Sequence, residues 1–321
     1  MNVKILYHNN CFDGVASAAI FAVFYRECVN KQAEQIFEGL AHKAGQVFQE
    51  SSFSGDENAI VDFKYSSSPR LTWWFDHHQS AFLTEQDEAH FRNTPEGWQS
   101  GKKFHDPSFR SCTKFIAEIA FTRFGLNVDH LSELIKWADI IDGALYPDAQ
   151  TAVEYNAPAM RLMLVIESAR DQKLLHKIIH DLQRLALSEV AAQSYITSIF
   201  DHYYQRHLQA LEIIKQAARC ENQVIYFDVS NHDMEGYSKF IPYYLFPEAL
   251  YSVGVSSSPQ RAKVSVGFNP WGKGARRHNL ATICERYGGG GHAVVGAISF
   301  GPQELEHARQ VAASIVEELR R

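Results

Sequence analysis

The sequence predicts an α/β protein in two domains: a mostly parallel sheet with flanking helices, a helical connector, and a smaller C-terminal α/β domain. Three observations predict it. Short apolar runs of strand length alternate with helical patterns through the first half, as in a parallel sheet with crossover helices. Residues 159–218 carry apolar residues at threes and fours with no strand signal. Strand-like runs return after residue 222 and end in a glycine run and an amphipathic helix. At 321 residues the chain is long for one core and comfortable for two.

The elements follow in order. Residues 3–7 (VKILY) read as a short buried strand. A helix is expected over 14–28, where Ala16, Ser17, Ala18 and Ala19 permit close packing on a sheet. Residues 31–50 read as helix. Residues 59–61 form a strand tip ending at Asp62, and 71–75 form the next strand. Residues 85–108 read as loop, punctuated by Pro95, Gly97, Gly101 and Pro107. Ser111 is a natural N-cap for a helix through Phe124, and another helix covers 130–141. A helical lobe and connector fills 159–218. Strands are expected at 223–227, 249–254, 261–268 and 294–300, with helices at 279–286 and 302–319. The expected domains are 1–218, metal-binding and catalytic, and 219–321, substrate-binding.

Bulk properties narrow the function. Apolar residues make up 45% and charged residues 21%, as in an ordinary globular protein. A net charge of −6 argues against a broad basic surface for long nucleic acid and leaves room for a local anion pocket. The five cysteines (Cys11, Cys28, Cys112, Cys220, Cys284) are odd in number and form no C-x-x-C pair, which points to reduced thiols and a cytoplasmic protein. The longest apolar run, 15–25, is too short to span a bilayer, so no membrane partner is expected.

Three strands of the first domain end on residues that suit a metal: His8 through Asp13 (HNNCFD), Asp62 in VDF, and Asp76-His77-His78 in FDHH. Turns more often use Gly, Asn, Pro or Ser. In open parallel sheets, sites form at the carboxyl ends of strands, so these residues can converge. A fourth acidic spot, Asp139 and Asp142, lies at a helix end. Taken singly, each Asp or His is more often a cap or a satisfied polar group; jointly they form a set. Imidazoles and carboxylates without thiolates suit Mn²⁺, Mg²⁺, Co²⁺ or Zn²⁺. A pair of such ions can activate water for phosphoryl displacement.

These segments (HNNCFDG at 8–14, VDF at 61–63, FDHH at 75–78 and WADIIDG at 137–143) resemble the four motifs of the DHH phosphoesterases, in order. RYGGGGHAVVGA at 286–297 resembles the GGGH signature of that family's C-terminal DHHA1-type domain. The family includes RecJ-type exonucleases, oligoribonucleases that also dephosphorylate pAp, cyclic-dinucleotide phosphodiesterases and exopolyphosphatases, and is typically Mn²⁺-dependent. The resemblance implies that His8 and Asp13 bind one of two metals, Asp62 bridges, and His77 and Asp139 complete the second site. It also implies that Asp76 and His78 support the ligands or face the phosphate. One position departs from the pattern: many relatives carry Asp where this chain has Asn10. Other branches place a carboxylate where this chain has Val15, so one site is expected to be weaker unless Asp142 compensates.

In the second domain, Gly289, Gly290 and Gly291 before His292 are expected to form a backbone nest for phosphate, with His292 donating to it. Arg276 and Arg277 would add positive charge, although a solvated basic turn explains them equally well. The expected function is a Mn²⁺-dependent phosphoesterase, with Mg²⁺ or Co²⁺ as substitutes. It would act on a short single-stranded oligonucleotide, pAp, or a linear or cyclic dinucleotide, and then on polyphosphate or pyrophosphate. A homodimer is the expected assembly. A catalytically weakened nucleotide sensor of the same fold and a single-zinc hydrolase are the alternatives.

Overall fold

The computed structural model describes residues 1–42, 48–232, 234 and 236–321. The chain divides into two compact units, residues 1–146 with 156–201, and residues 147–155 with 202–321.

Unit 1 begins with β1 (Asn2–His8), α1 (Phe12–Phe24) and β2 (Glu34–Leu40). β3 (Glu57–Val61), β4 (Trp73–Asp76), α2 (Glu85–Asn93) and β5 (Lys103–His105) follow. The five strands form one sheet in the order β2-β1-β3-β4-β5, every pair parallel. The helices α3 (Cys112–Phe124) and α4 (Ser132–Asp142) come next. After α5 (Ala149–Glu154), which belongs to unit 2, come α6 (Pro158–Ser168), α7 (Gln172–Leu182) and α8 (Leu187–Ala191). The long α9 (Ser194–Ala217) starts in unit 1 and ends in unit 2.

α1 is buried along its whole length because its small residues let it lie against β1, α3 and α4. It continues as a π-helical turn, Tyr25–Val29. Gly14 makes this approach possible: a Cβ there would fall 2.1 Å from the His8 carbonyl oxygen. Trp73, Trp74 and Phe75 of β4 are all buried, as a strand covered on both faces requires.

Two expectations for unit 1 need correction. Residues 34–40 are not helix but strand β2, in register with β1 from Asn2↔Glu34 to His8↔Leu40. Lys31, Gln32 and Ala33 before the strand and Glu34, Gln35 and Glu38 within it favour helix locally, and the ladder to β1 overrides it. Residues 43–47 of the same expected helix lie outside the described residues. The expected loop 85–108 contains α2 and β5. Thr84 caps α2 by accepting from the Asp87 N–H at 3.1 Å, a capping signal outweighed by the prolines and glycines that follow.

Unit 2 contains β6 (Arg219–Glu221), β7 (Val224–Asp228), α10 (Ile241–Leu245), β8 (Tyr251–Ser258) and β9 (Arg261–Phe268). It closes with α11 (Leu280–Glu285), β10 (Gly290–His292), β11 (Val295–Phe300) and α12 (Leu305–Leu319). Its strands pair in the order β10-β11-β9-β8-β7-β6, parallel at β7–β8 and antiparallel elsewhere. One face packs against α11 and α12 through Val264, Ile283 and Ile315. Another cluster joins Phe227 and Val229 to Ile214 of α9 and Ile241 of α10.

Candidate metal centre

The parallel register builds the site. Tyr7 pairs with Val61 and Val61 with Phe75, so the next residues, His8, Asp62 and Asp76, fall side by side at the carboxyl edge. The sheet order reverses direction between β1 and β3, the place where open α/β sheets bind ligands. Asp62 ends its strand at φ 55°, a left-handed turn that Asp tolerates better than most side chains.

Asp13 reaches this edge from the first turn of α1. Its carboxylate is buried and accepts the Cys112 N–H at 2.7 Å and the Thr113 N–H at 3.0 Å, at the start of α3. The helix terminus favours this negative charge. Asp76 accepts from the His77 N–H (2.8 Å), the His78 N–H (3.2 Å) and His78 Nδ1 (2.7 Å). It therefore shapes the turn and orients His78. The Phe109 carbonyl lies 3.2 Å from His77 Nδ1. Donation from Nδ1–H to that carbonyl leaves Nε2 directed at the carboxylates.

The atoms facing one another are spaced too widely or aligned too poorly for hydrogen bonds. His8 Nδ1 lies 3.3 Å from Asp62 Oδ2, and His77 Nε2 lies 3.5 Å from Asp62 Oδ1. His77 Nε2 is also 3.5 Å from Asp142 Oδ2 and 3.7 Å from Asp13 Oδ2. His8 Nδ1, both Asp62 oxygens and His77 Nε2 are buried without a hydrogen-bond partner among the described residues. Buried polar atoms are rarely left so, and an ion is one standard remedy. Ligand atoms group in overlapping sets: His8, Cys11 and Asp62; Asp62, His77 and His78; Asp13, His77 and Asp142.

The electrostatics point the same way. Burial, and then the Asp62 and Asp142 charges, raise the Asp13 carboxyl well above its usual range. Burial and Asp62 push Asp142 up to about 6. Burial opposes charge on Asp62 too, but the His77 and His8 imidazoles outweigh it and hold this carboxyl down. Burial would lower His77, yet Asp62, Asp13 and Asp142 push it up to about 10. The hydrogen bond to Asp76 raises His78. Three carboxylates compete for too little positive charge, an imbalance that divalent cations would remove. The residues thus fit a divalent metal centre, with Asp62 offering one oxygen to each side.

No family model matches the chain, and neither does any curated protein. Solved structures do. A pGpG-specific phosphodiesterase, PggH, from Vibrio cholerae superposes with TM-score 0.74 at 14% identity, covering 99% of this chain and 100% of that one. RecJ from Thermus thermophilus in complex with Mn²⁺ gives 0.56 at 11% identity, over 99% of this chain and 52% of that one. The DHH domain of a protein described as belonging to a family of ribosomal proteins gives 0.54 at 13% identity, over 100% and 87%. The chain has the DHH fold.

Within the DHH fold, the structure brings together His8, Asp13, Asp62, Asp76, His77 and His78, and leaves Asp139 out. Asp139 accepts from Ser111 Oγ at 3.0 Å and pairs with Lys114 Nζ at 2.8 Å. Asp142, one helical turn further along α4, takes the place expected for Asp139. The DIID spacing puts both on neighbouring parts of one helix face, and only the docking of α4 decides between them. Cys11, which groups with His8 and Asp62, has no counterpart among the residues singled out from the sequence; nearby, the His42 ring stands 4.7 Å from that of His8 and stacks on Phe63. Asn10, at φ 54°, turns its amide N–H₂ away from the cluster and donates to the Ile166 and Ala169 carbonyls at the end of α6.

The glycine run of unit 2 differs from the expected nest. Gly288 and Gly289 donate to the Glu285 and Cys284 carbonyls, and Gly290–His292 form edge strand β10. A Cβ on Gly289 would lie 2.3 Å from the Ala297 oxygen, and one on Gly291 2.2 Å from that of Val295, so these glycines first serve backbone packing. His292 is exposed on this edge. The Arg277 and His278 N–H groups donate to the Tyr251 hydroxyl, which fixes the backbone while the Arg276 and Arg277 side chains stay exposed. The five cysteines are free, and no helix among the described residues is long and apolar enough to cross a membrane.

Proposed function

We propose that this protein is a divalent-metal-dependent phosphoesterase acting on a short phosphorylated nucleotide, with a linear dinucleotide or pAp as the leading substrate class. The convergence of His8 Nδ1, both Asp62 oxygens and His77 Nε2, buried and unpartnered at the carboxyl edge, carries this reading. A short substrate is favoured by the net charge of −6, and the neighbour matched over its full length is described as a pGpG-specific phosphodiesterase.

His8 and Asp62 would hold one cation, and Asp13, Asp62, His77 and Asp142 the other. When bound, such cations supply an activated water and neutralise charge developing on the phosphoryl oxygens. Asp76 keeps the His78 ring oriented through Nδ1, which leaves Nε2 for the phosphate. The Phe109 carbonyl holds His77 in its ligating tautomer. Gly290, Gly291 and His292 on the open edge of β10, with the exposed Arg276 and Arg277, would give unit 2 a phosphate-binding surface of its own. Reduced free thiols suit a cytoplasmic setting.

The test is hydrolysis by metal-stripped protein resupplied with Mn²⁺ or Mg²⁺, on pGpG, pAp, a longer single strand and polyphosphate. The dinucleotide or pAp should be turned over fastest, and Asp62→Asn should abolish turnover. Tight nucleotide binding with no turnover of any substrate would replace this reading with the sensor.

A further inference from the structure

We propose that Cys11 is a metal ligand and that the two cation sites are chemically unlike: one carries sulfur, the other oxygen and nitrogen alone. The inference rests on the metal-centre reading above and goes beyond it in naming a thiolate ligand and the cation class it selects.

The geometry begins with what position 10 does. Asn10 is committed by its amide nitrogen to two carbonyls at the end of α6. Two neighbours remain on the β1 side, His8 Nδ1 and Asp62 Oδ2, 3.3 Å apart and both without a hydrogen-bond partner among the described residues. Two protein ligands hold a cation poorly, since even catalytic zinc sites keep three. Cys11 supplies the third. It sits at the N-cap of α1, its side chain makes no capping hydrogen bond, and its sulfur groups with His8 and Asp62 within 4.8 Å. Asp62, 1% exposed with both oxygens unpartnered, shows independently that this pocket expects a ligand.

Ligand softness then separates the sites. A thiolate beside imidazole and carboxylate favours Zn²⁺, Fe²⁺ or Co²⁺. Asp13, Asp62, Asp142 and His77, rich in carboxylate oxygen, suit Mn²⁺ or Mg²⁺ equally well. Loading the first site forms a sulfur–metal bond and releases the Cys11 thiol proton to solvent.

Cobalt reads this without turnover. Co²⁺ is titrated into the metal-stripped full chain, in wild type, Cys11→Ser and Cys220→Ser. Visible ligand-field bands report binding, and a near-ultraviolet charge-transfer band reports sulfur. The expected result is a charge-transfer band in wild type and Cys220→Ser that is absent from Cys11→Ser. Ligand-field bands without charge transfer, or charge transfer that survives Cys11→Ser, would overturn the assignment and leave the metal centre standing. No ligand-field bands at all would overturn both. Should Cys11→Ser fail to fold, alkylation of Cys11 in wild type is followed by mass spectrometry. Zn²⁺ should slow it, because a thiolate held by the metal is withheld from the reagent; an unchanged rate would refute the proposal.

Discussion

Two aspartates mark carboxyl ends of parallel ladders, one in each unit, and they are treated in opposite ways. Asp228, the last residue of β7, accepts from the Ser230 N–H at 2.9 Å, Ser230 Oγ at 2.5 Å and Arg309 Nε at 2.8 Å. Asp62, directly after β3, is more deeply buried, and its two carboxylate oxygens have no hydrogen-bond partner among the described residues. The first carboxylate is satisfied by its own chain, which makes it structural. The second finds no such partner in the described chain, which suits a ligand. Partner accounting, more than residue type or strand position, separates a structural carboxylate from a ligand.

The strongest way to break this comparison is to neutralise both. Asp62→Asn should weaken Zn²⁺ or Mn²⁺ binding about 100-fold or more, measured by competition with a chelating dye, and leave the melting temperature of metal-stripped protein nearly unchanged. Asp228→Asn should do the reverse, costing about 1–2 kcal/mol in urea unfolding with metal affinity intact. Asp76→Asn sharpens the contrast within the site, since it removes the acceptor that orients His78. Metal affinity or turnover should fall about 10- to 100-fold.

Asn10→Asp should cost about 1–3 kcal/mol, because a carboxylate cannot donate to the Ile166 and Ala169 carbonyls, and it should not tighten metal binding. A gain in affinity would show position 10 to be a ligand position after all. Asp139→Asn should lose no more than about 1 kcal/mol, the worth of a half-exposed pair with Lys114, and keep full metal affinity. Asp142→Asn should lose affinity.

The smallest effect is a pH slope. Burial depresses the His207 pKa below its ordinary 6.5, against the pull of the Val153 carbonyl. The unfolded chain therefore binds the proton first as pH falls, so stability is full above about pH 6.5 and declines below it. His207→Gln should flatten that slope in urea titrations between about pH 7 and 5.

Much of this was legible in the sequence. Local signals carried α3, because Ser111 caps it and Gly125 ends it in the left-handed region. The ends of β1, β3 and β4 could be read because ligand-type residues replaced turn residues at three strand ends. β2 could not, since its pairing with β1 is non-local and its composition says helix. Asp139 and Asp142 are indistinguishable in a WADIIDG segment; helix docking turned one toward Lys114 and the other toward His77. The glycine run was read for its freedom, whereas the Ala297 and Val295 carbonyls explain it by crowding. Cys11 was hidden because a single thiol has no spacing pattern, and only the placement of α1 on β1 brings its sulfur to Asp62.

The anchoring of Asp13 on the Cys112 and Thr113 N–H groups ties positions 99 and 100 apart in the chain. Such contacts close late, because loop closure must precede them. The unfolded polypeptide then has no preformed chelate, and a cation cannot template the first steps of refolding. Its effect falls on the escape rate from the native basin. Excess metal should lengthen the unfolding half-life in stopped-flow measurements and leave the refolding limb unmoved.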